Sequence, residues 1–197
     1  MRLLSTLLAV VALASGVIVR TSAQTPADSA AYAVAYVEVR PSSRAAAIAA
    51  LKDYRTASKK DDGSVAVDVF EQVGRQGHFT IVETWRDQKA FDAHSAGAPR
   101  KVFVAALEPA RLSDYDQRPY KTLSIGPAPA AGNGQAVYVV SHVDTAPAPA
   151  GAPADGPGLL RRLAEASRQE PGNVRFDVVQ HAMRGNHFTV IEAWQNQ

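Results

Sequence analysis

Apolar and polar positions alternate along SVAVDVFEQV (64–73) and HFTIVETW (78–85), then again along NVRFDVVQHA (173–182) and HFTVIEAW (187–194). A period of two marks half-buried strands. The turn GRQG (74–77) joins the first two into an antiparallel hairpin, and the second two read the same way. Upstream, AVAYVEVRP (33–41) is β-rich and stops at Pro41. The period then changes: Ala47, Ile48, Leu51 and Tyr54 recur at three- and four-residue steps, a helix from about Arg44 with Ser42 or Ser43 as its cap. KKDDG (59–63) ends it, with Gly63 as a left-handed cap. Asp87 caps QKAFDAH, a second helical segment RKVFVAALEPA lines up Val102, Phe103, Ala106 and Leu107, and RPYKTLSI (118–125) is a last strand. The order β-α-β-β-α-β is the ferredoxin-like split βαβ.

The pattern is written twice. Setting residues 65–88 over 174–197, a shift of 109, makes 10 of 24 positions identical: Val65, Asp68, Val69, Arg75, His78, Phe79, Thr80, Glu83, Trp85 and Gln88. Gly63 meets Gly172, Ser58 meets Ser167 and Leu51 meets Leu160 at the same shift. So long a period means two copies of a domain, not a solenoid. The expected organisation is a first domain at 33–125, a linker at 126–134 (GPAPAAGNG) and a second domain at 135–197. Copy two opens with QAVYVVSHVD, carries a Pro/Ala/Gly insertion (TAPAPAGAPADGPG) expected to be disordered, and continues into the helix LLRRLAEASRQ. It reaches Gln197 where copy one starts its second helix. The fold expected is therefore α+β: two ferredoxin-like repeats with antiparallel sheets, packed as an intrachain pseudo-dimer, the second incomplete by one helix and one strand. The expectation is a sequence that is part of a longer protein, the alternative being that something else covers the apolar face.

Composition adds localisation and exclusions. Arg2 precedes the uncharged apolar run LLSTLLAVVALASGVIV, and Thr21-Ser22-Ala23 offers small residues for cleavage. Residues 1–23 read as a secretory signal, the alternative being an uncleaved anchor, and 24–32 as a disordered N-terminus. The expectation is a periplasmic or secreted protein with no stable membrane insertion after cleavage. There is no Cys, which removes disulfides, thiolate chemistry and Cys-bound zinc. The net charge is +2, and without Arg2 and Arg20 acidic and basic residues balance, which gives no electrostatic case for nucleic acid. No phosphate-binding glycine loop, Gly-x-Ser-x-Gly elbow or metal-type His cluster is present, so no metal is expected.

On the strand 78–85, Phe79, Ile81, Glu83 and Trp85 share one face. Trp85 and Trp194 suit a core. Glu83 is at a solvated strand end, or buried and paired, or lining a polar cavity. His78 and His187, at hairpin edges, read as surface residues. His94 follows Ala90 and Phe91 on the capped helix, so its imidazole leans inward, either as a satisfied core group or as a proton carrier facing a cavity.

FTIVETWRDQKAFDAHSAGAPRKVFVAAL resembles the antibiotic biosynthesis monooxygenase family, in which a strand ending Glu-x-Trp precedes a polar turn, Ala-Phe, a helical His and an aromatic-rich helix. Residues 33–125 cover the whole pattern and 136–197 its first two-thirds. The resemblance implies dimers whose sheets pack together, so that the duplication makes an intrachain pseudo-dimer, alone or as a homodimer. It implies cofactor-independent oxidation of a quinol-like or polycyclic aromatic molecule by O2, with isomerases and haem-degrading enzymes as other branches. Trp85 would pack the substrate and His94 would move a proton or stabilise an anion. Glu83, Phe91, Phe79, Tyr54 and Phe103 would line the pocket, with Trp194, Glu192 and Phe188 as second-repeat equivalents. A strand Asn used by some oxygenases is missing from FTIVETW. RKVFVAAL lacks the iron-ligating His of the haem branch, so no haem, flavin or metal is expected. The rival is a module that binds a small ligand or dimerises without catalysis. An open, polar-edged cavity beside His94 favours the enzyme and a packed one the rival.

Overall fold

In the computed structural model residues 29–127, 136–146 and 155–195 are described. The expected signal, most of the expected N-terminal tail and linker, and the middle of the insertion lie outside them. Strand β1 (Ala31–Glu38) leads through a short 3-10 turn into α1 (Arg44–Ser58); β2 (Ser64–Glu71) and β3 (His78–Trp85) form the first hairpin. Helices α2 (Gln88–Ala96) and α3 (Ala98–Leu107) precede β4 (Asp116–Ser124). The second repeat supplies β5 (Val137–Asp144), α4 (Gly156–Ser167), β6 (Asn173–His181) and β7 (His187–Trp194).

The repeat is reproduced down to register. β1 pairs β3 from Ala31 opposite Trp85 to Glu38 opposite His78, and β5 pairs β7 from Val137 opposite Trp194 to Asp144 opposite His187. Both hairpins shift register at equivalent places, between Ser64 and Ala66 and between Asn173 and Arg175. The amide of Arg86 donates to Gly63 and that of Gln195 to Gly172, each at 2.8 Å.

Two separate sheets were expected; one is found. Its order is β2-β3-β1-β4-β6-β7-β5, antiparallel throughout, because the free edge of β4 pairs with β6 of the second repeat. An unpaired β4 edge would leave a row of backbone donors and acceptors without partners. The sheet also curls until its ends approach: Phe70 of β2 and Tyr138 of β5 stack with ring centroids 4.3 Å apart. Tyr32, Val34, Val82, Tyr120, Val179 and Ile191 fill the interior so enclosed.

Strand β1 shows how sequence sets the layers. Tyr32 and Val34 point into the curl, while Ala31, Ala33 and Ala35 lie on the helix side. Small residues there let the helices settle close. Leu51, Tyr54, Val67, Ile81, Phe103 and Leu107 make the core under α1 and α3, and Leu160, Phe176, Val178 and Phe188 the smaller core under α4.

Two local expectations change. Ser43 precedes α1 but its side chain makes no cap hydrogen bond, since the 3-10 turn from Pro41 already leads the backbone in. Gly63 is left-handed (φ +80°) yet does not cap α1, which ends at Ser58; it turns the chain into β2. Asp87 does cap α2, accepting from the Ala90 amide at 2.8 Å.

Candidate active site

The first repeat holds a buried polar chain between its helices and sheet. Asp87 starts α2 directly after β3, and the helical spacing then turns Ala90, Phe91 and His94 inward. Strand alternation puts Glu83 and Trp85 on the same side. From α1, Tyr54 reaches between them. Its hydroxyl donates to Glu83 Oε1 at 2.5 Å and lies 2.8 Å from His94 Nε2. His94 Nδ1 is 2.7 Å from Asp61 Oδ2, and Trp85 Nε1 donates to Glu83 Oε2 at 3.1 Å. The His94 ring stacks on Trp85 at 4.3 Å between centroids, and Tyr54 stacks on Phe103 at the same distance. The side chains of His94 and Glu83 are 0 % and 1 % exposed, whereas that of Asp61 is 30 % exposed. The chain thus runs from solvent into the core.

Its hydrogen bonds constrain its protons. With Asp61 ionised, its carboxylate accepts from the proton on Nδ1. If Tyr54 donates to Glu83, then Nε2 must donate to the Tyr54 oxygen, and histidine carries both ring protons. If Tyr54 donates to Nε2 instead, Glu83 must be protonated and donate to Tyr54. Both arrangements hold the same number of protons and satisfy every contact; they differ by a concerted shift along Glu83, Tyr54 and His94. Burial and the Glu83 carboxylate push the Tyr54 phenol far above its usual range. Tyr54 therefore stays a phenol and does not stand as a phenolate.

The remaining expected pocket residues are distributed around this chain. Phe103 backs Tyr54 and is met edge-on by Tyr115 at 5.8 Å; burial drives the Tyr115 phenol well up, against the Arg100 guanidinium lying 4.1 Å from its ring. Phe91 packs with Trp85, Ala31 and Ala33. Phe79 sits further along, in the core with Leu51 and Val67. Around His94 these side chains pack closely; further along, between α1 and the β2–β3 hairpin, a pocket of about 430 Å³ opens, with Ile48, Leu51, Arg55 and Phe79 among its walls. What opens beside His94 is a depression of about 360 Å³ on the outer side, with Asp61, Arg86, Lys89 and Gly97 among its walls. Arg86 is held there by Asp62 at 3.2 Å.

The second repeat is an internal control. Glu192 still accepts from Trp194 Nε1 at 2.9 Å, and Phe188 is buried. The position equivalent to Tyr54 is Leu163, 48 % exposed, and the described residues contain no counterpart of α2 or His94. The Glu–Trp pair is thus a feature of the strand end, and the chemistry-bearing additions are Tyr54 and His94; Asp61 has an acidic counterpart in Glu170. His78 and His187 pair with Glu38 and Asp144 at 3.2 and 2.6 Å, at the opposite ends of their strands from the two Trp residues. Among the described residues no group of three His, Asp or Glu is placed to hold a metal.

Asp61 was not foreseen. In sequence it lies in a polar run that signals only the end of a helix; its one mark is the adjacent left-handed Gly63 turn, which folds the segment back toward α2.

Residues 30–106 and 149–197 match the family model described as "Antibiotic biosynthesis monooxygenase". The chain is 31 % identical over 71 residues, 36 % of its length and 75 % of the relative's, to "Putative monooxygenase YcnE" of Bacillus subtilis (strain 168). A solved structure from Fusobacterium nucleatum, described as a "Putative monooxygenase", matches 85 % of this chain and 76 % of its own at a TM-score of 0.71 and 16 % identity. Another so described, from Lactobacillus acidophilus NCFM, matches 85 % and 78 % at 0.67 and 14 %. At those identities the two structures speak for the fold alone.

Proposed function

Because the chain belongs to the antibiotic biosynthesis monooxygenase family, we propose that it is an exported, cofactor-independent monooxygenase that oxidises a quinol-like or polycyclic aromatic molecule with O2. The observation that carries this reading is the buried chain Asp61–His94–Tyr54–Glu83, which can take a proton at its solvent end and redistribute it inward. The substrate lies in the depression beside His94, its ring close to the cationic side chains of Arg86 and Lys89. The part-exposed carboxylate of Asp61, held in place by His94, takes up a substrate proton. The resulting anion supplies an electron pair to O2, a carbon–oxygen bond forms, and the substrate hydroperoxide regains a proton. Loss of water leaves one new oxygen on the organic product: quinol plus O2 gives hydroxyquinone plus H2O. The electrons come from the substrate, so no haem, flavin or metal enters the scheme. The protein contributes position and proton transfer.

A second reading, a non-catalytic ligand-binding or dimerisation module, draws support from the close packing around His94, whose two ring nitrogens are both partnered. An isomerase using His94 as base is a third use of the same geometry. Oxygen uptake by the purified protein over a panel of hydroquinones separates them. Turnover that falls by about 10²-fold or more in His94→Ala is expected; uptake with no member of the panel, or a rate unchanged in the variant, favours the module.

A further inference from the structure

We propose that the hollow at the junction of the two repeats is a binding site for a tetrahedral oxyanion, the phosphate or sulfate end of an organic ester. The hollow exists because β6 is short. Its pairing with β4 stops at Tyr120 opposite His181, so Asp116 and Arg118 of β4 extend past it. Arg118 then reaches His142 of β5 beside a space of about 550 Å³. The turn from β6 to β7 borders that space with His181, Arg184 and His187. None of the residues of the Asp61–His94 chain takes part, so this site is separate from the one in the first repeat.

Hydrogen bonds within the wall engage its acids and leave donors over. Asp116 accepts from Arg118 Nε at 2.9 Å and from Nη2 at 2.5 Å, and Asp144 lies 2.6 Å from His187 Nδ1. A guanidinium only donates, so His142 Nε2, 2.7 Å from Arg118 Nη1, is bare; its Nδ1 proton goes to the buried Thr189 hydroxyl at 3.0 Å. His181 Nδ1 accepts from the Met183 amide at 3.1 Å, which puts the ring proton on Nε2. Among the described residues nothing accepts from that N–H, and the Arg184 side chain makes no hydrogen bond or ion pair. Arg184, His187 and Arg118 all disfavour a proton on His181, and an anion set among them relieves that repulsion. Guanidinium geometry matches two oxygens of a phosphate or sulfate. The space is of the size that holds an organic ligand, and Tyr120 and Phe188 share its wall, so the oxyanion is one end of a larger molecule. The first repeat supplies a contrast: Arg75 and His78 stand where Arg184 and His187 do, but Gln72 replaces His181.

The probes are inorganic phosphate and phenyl phosphate, titrated separately into the whole chain at constant ionic strength, with the imidazole NMR signals as readout. Expected are saturable shifts of the His181 and His187 signals, with phenyl phosphate binding about threefold or more tighter than the free ion. Arg184 is exposed on its turn, so its substitution leaves the fold intact. Arg184→Ala is expected to weaken binding about tenfold or more, Arg184→Lys to restore part of the loss, and Arg75→Ala in the other hairpin to change nothing. Shifts that do not saturate overturn the proposal, as does equal affinity in Arg184→Ala and the unaltered protein. Inorganic phosphate binding as tightly as phenyl phosphate overturns the assignment to an ester.

Discussion

Asp61 lies in KKDDG between α1 and β2, two elements from the histidine it touches. A carboxylate on Nδ1 fixes which imidazole nitrogen faces Tyr54, and so sets the direction in which a proton can travel. Asp61→Asn keeps the shape but weakens that hold. Because Asp61 is partly solvated, the substitution is expected to lower kcat about tenfold or more with KM and melting temperature little changed, as measured by oxygen-uptake kinetics and calorimetry. The inward face of His94 was legible from its spacing behind Ala90 and Phe91, and the side shared by Glu83 and Trp85 from strand alternation. Both follow from local periodicity. The Asp61–His94 and Tyr54–Glu83 contacts join residues 33 and 29 positions apart, and no local pattern encodes them.

Among elements, the two hairpin entrances offer a matched comparison. Gly63 and Gly172 both have positive φ, +80° and +86°. A Cβ on Gly63 would meet the Ala90 Cβ at 2.5 Å, whereas one on Gly172 would meet nothing within 4 Å. Gly172→Ala therefore carries only the left-handed backbone cost, about 1 kcal/mol. Gly63→Ala should cost clearly more, since α2 must also move, and α2 carries His94. Chemical denaturation of the two variants checks the difference; equal losses would mean that α2 is not clamped against this turn. The hairpins, α1 and α2 could be placed from sequence because each has its own period or cap. KKDDG does end α1, at Ser58, but Gly63 turns the chain into β2 instead of capping the helix, because a glycine announces a left-handed residue without saying which element it serves.

For the whole molecule, the junction of the repeats is what sequence reading left out. The union of β4 with β6 is a long-range pairing between edges of similar polarity, and alternation along either strand reveals nothing of it. Once formed, it is pinned by Arg168, which donates to the Ser124 carbonyl at 2.9 Å, and by the Gly126 amide, which donates to Asp177 at 2.8 Å. The junction also holds a hollow of about 550 Å³ where His142, His181 and His187 face Arg118, Arg184, Asp116 and Asp144. Burial lowers the pKa of His142, with Arg118 adding to the effect; burial also lowers that of His181, helped by Arg184, His187 and Arg118. A folded-state value below that of the unfolded chain means that the unfolded form takes the proton first. This contribution to stability is present above about pH 6.5 and is lost as pH falls through the folded-state values. The melting temperature should drop between pH 7.5 and 5.5, and by less in a His142→Asn, His181→Gln double variant. An equal drop in both proteins would place the acid sensitivity elsewhere.

All three scales meet at Tyr54: its hydroxyl is the link through which the proton arrangements interchange, and Leu163 shows that the fold does not require it at the equivalent place. Removing that oxygen alone, in Tyr54→Phe, leaves Glu83 and His94 each short of a partner at a stability cost of about 1–3 kcal/mol, with the stack on Phe103 retained. The decisive measurement is steady-state oxygen consumption with the best hydroquinone of the panel, Tyr54→Phe against the unaltered protein, both confirmed folded. The account predicts a kcat lower by about 10²-fold with KM nearly unchanged. Equal kcat values would contradict it.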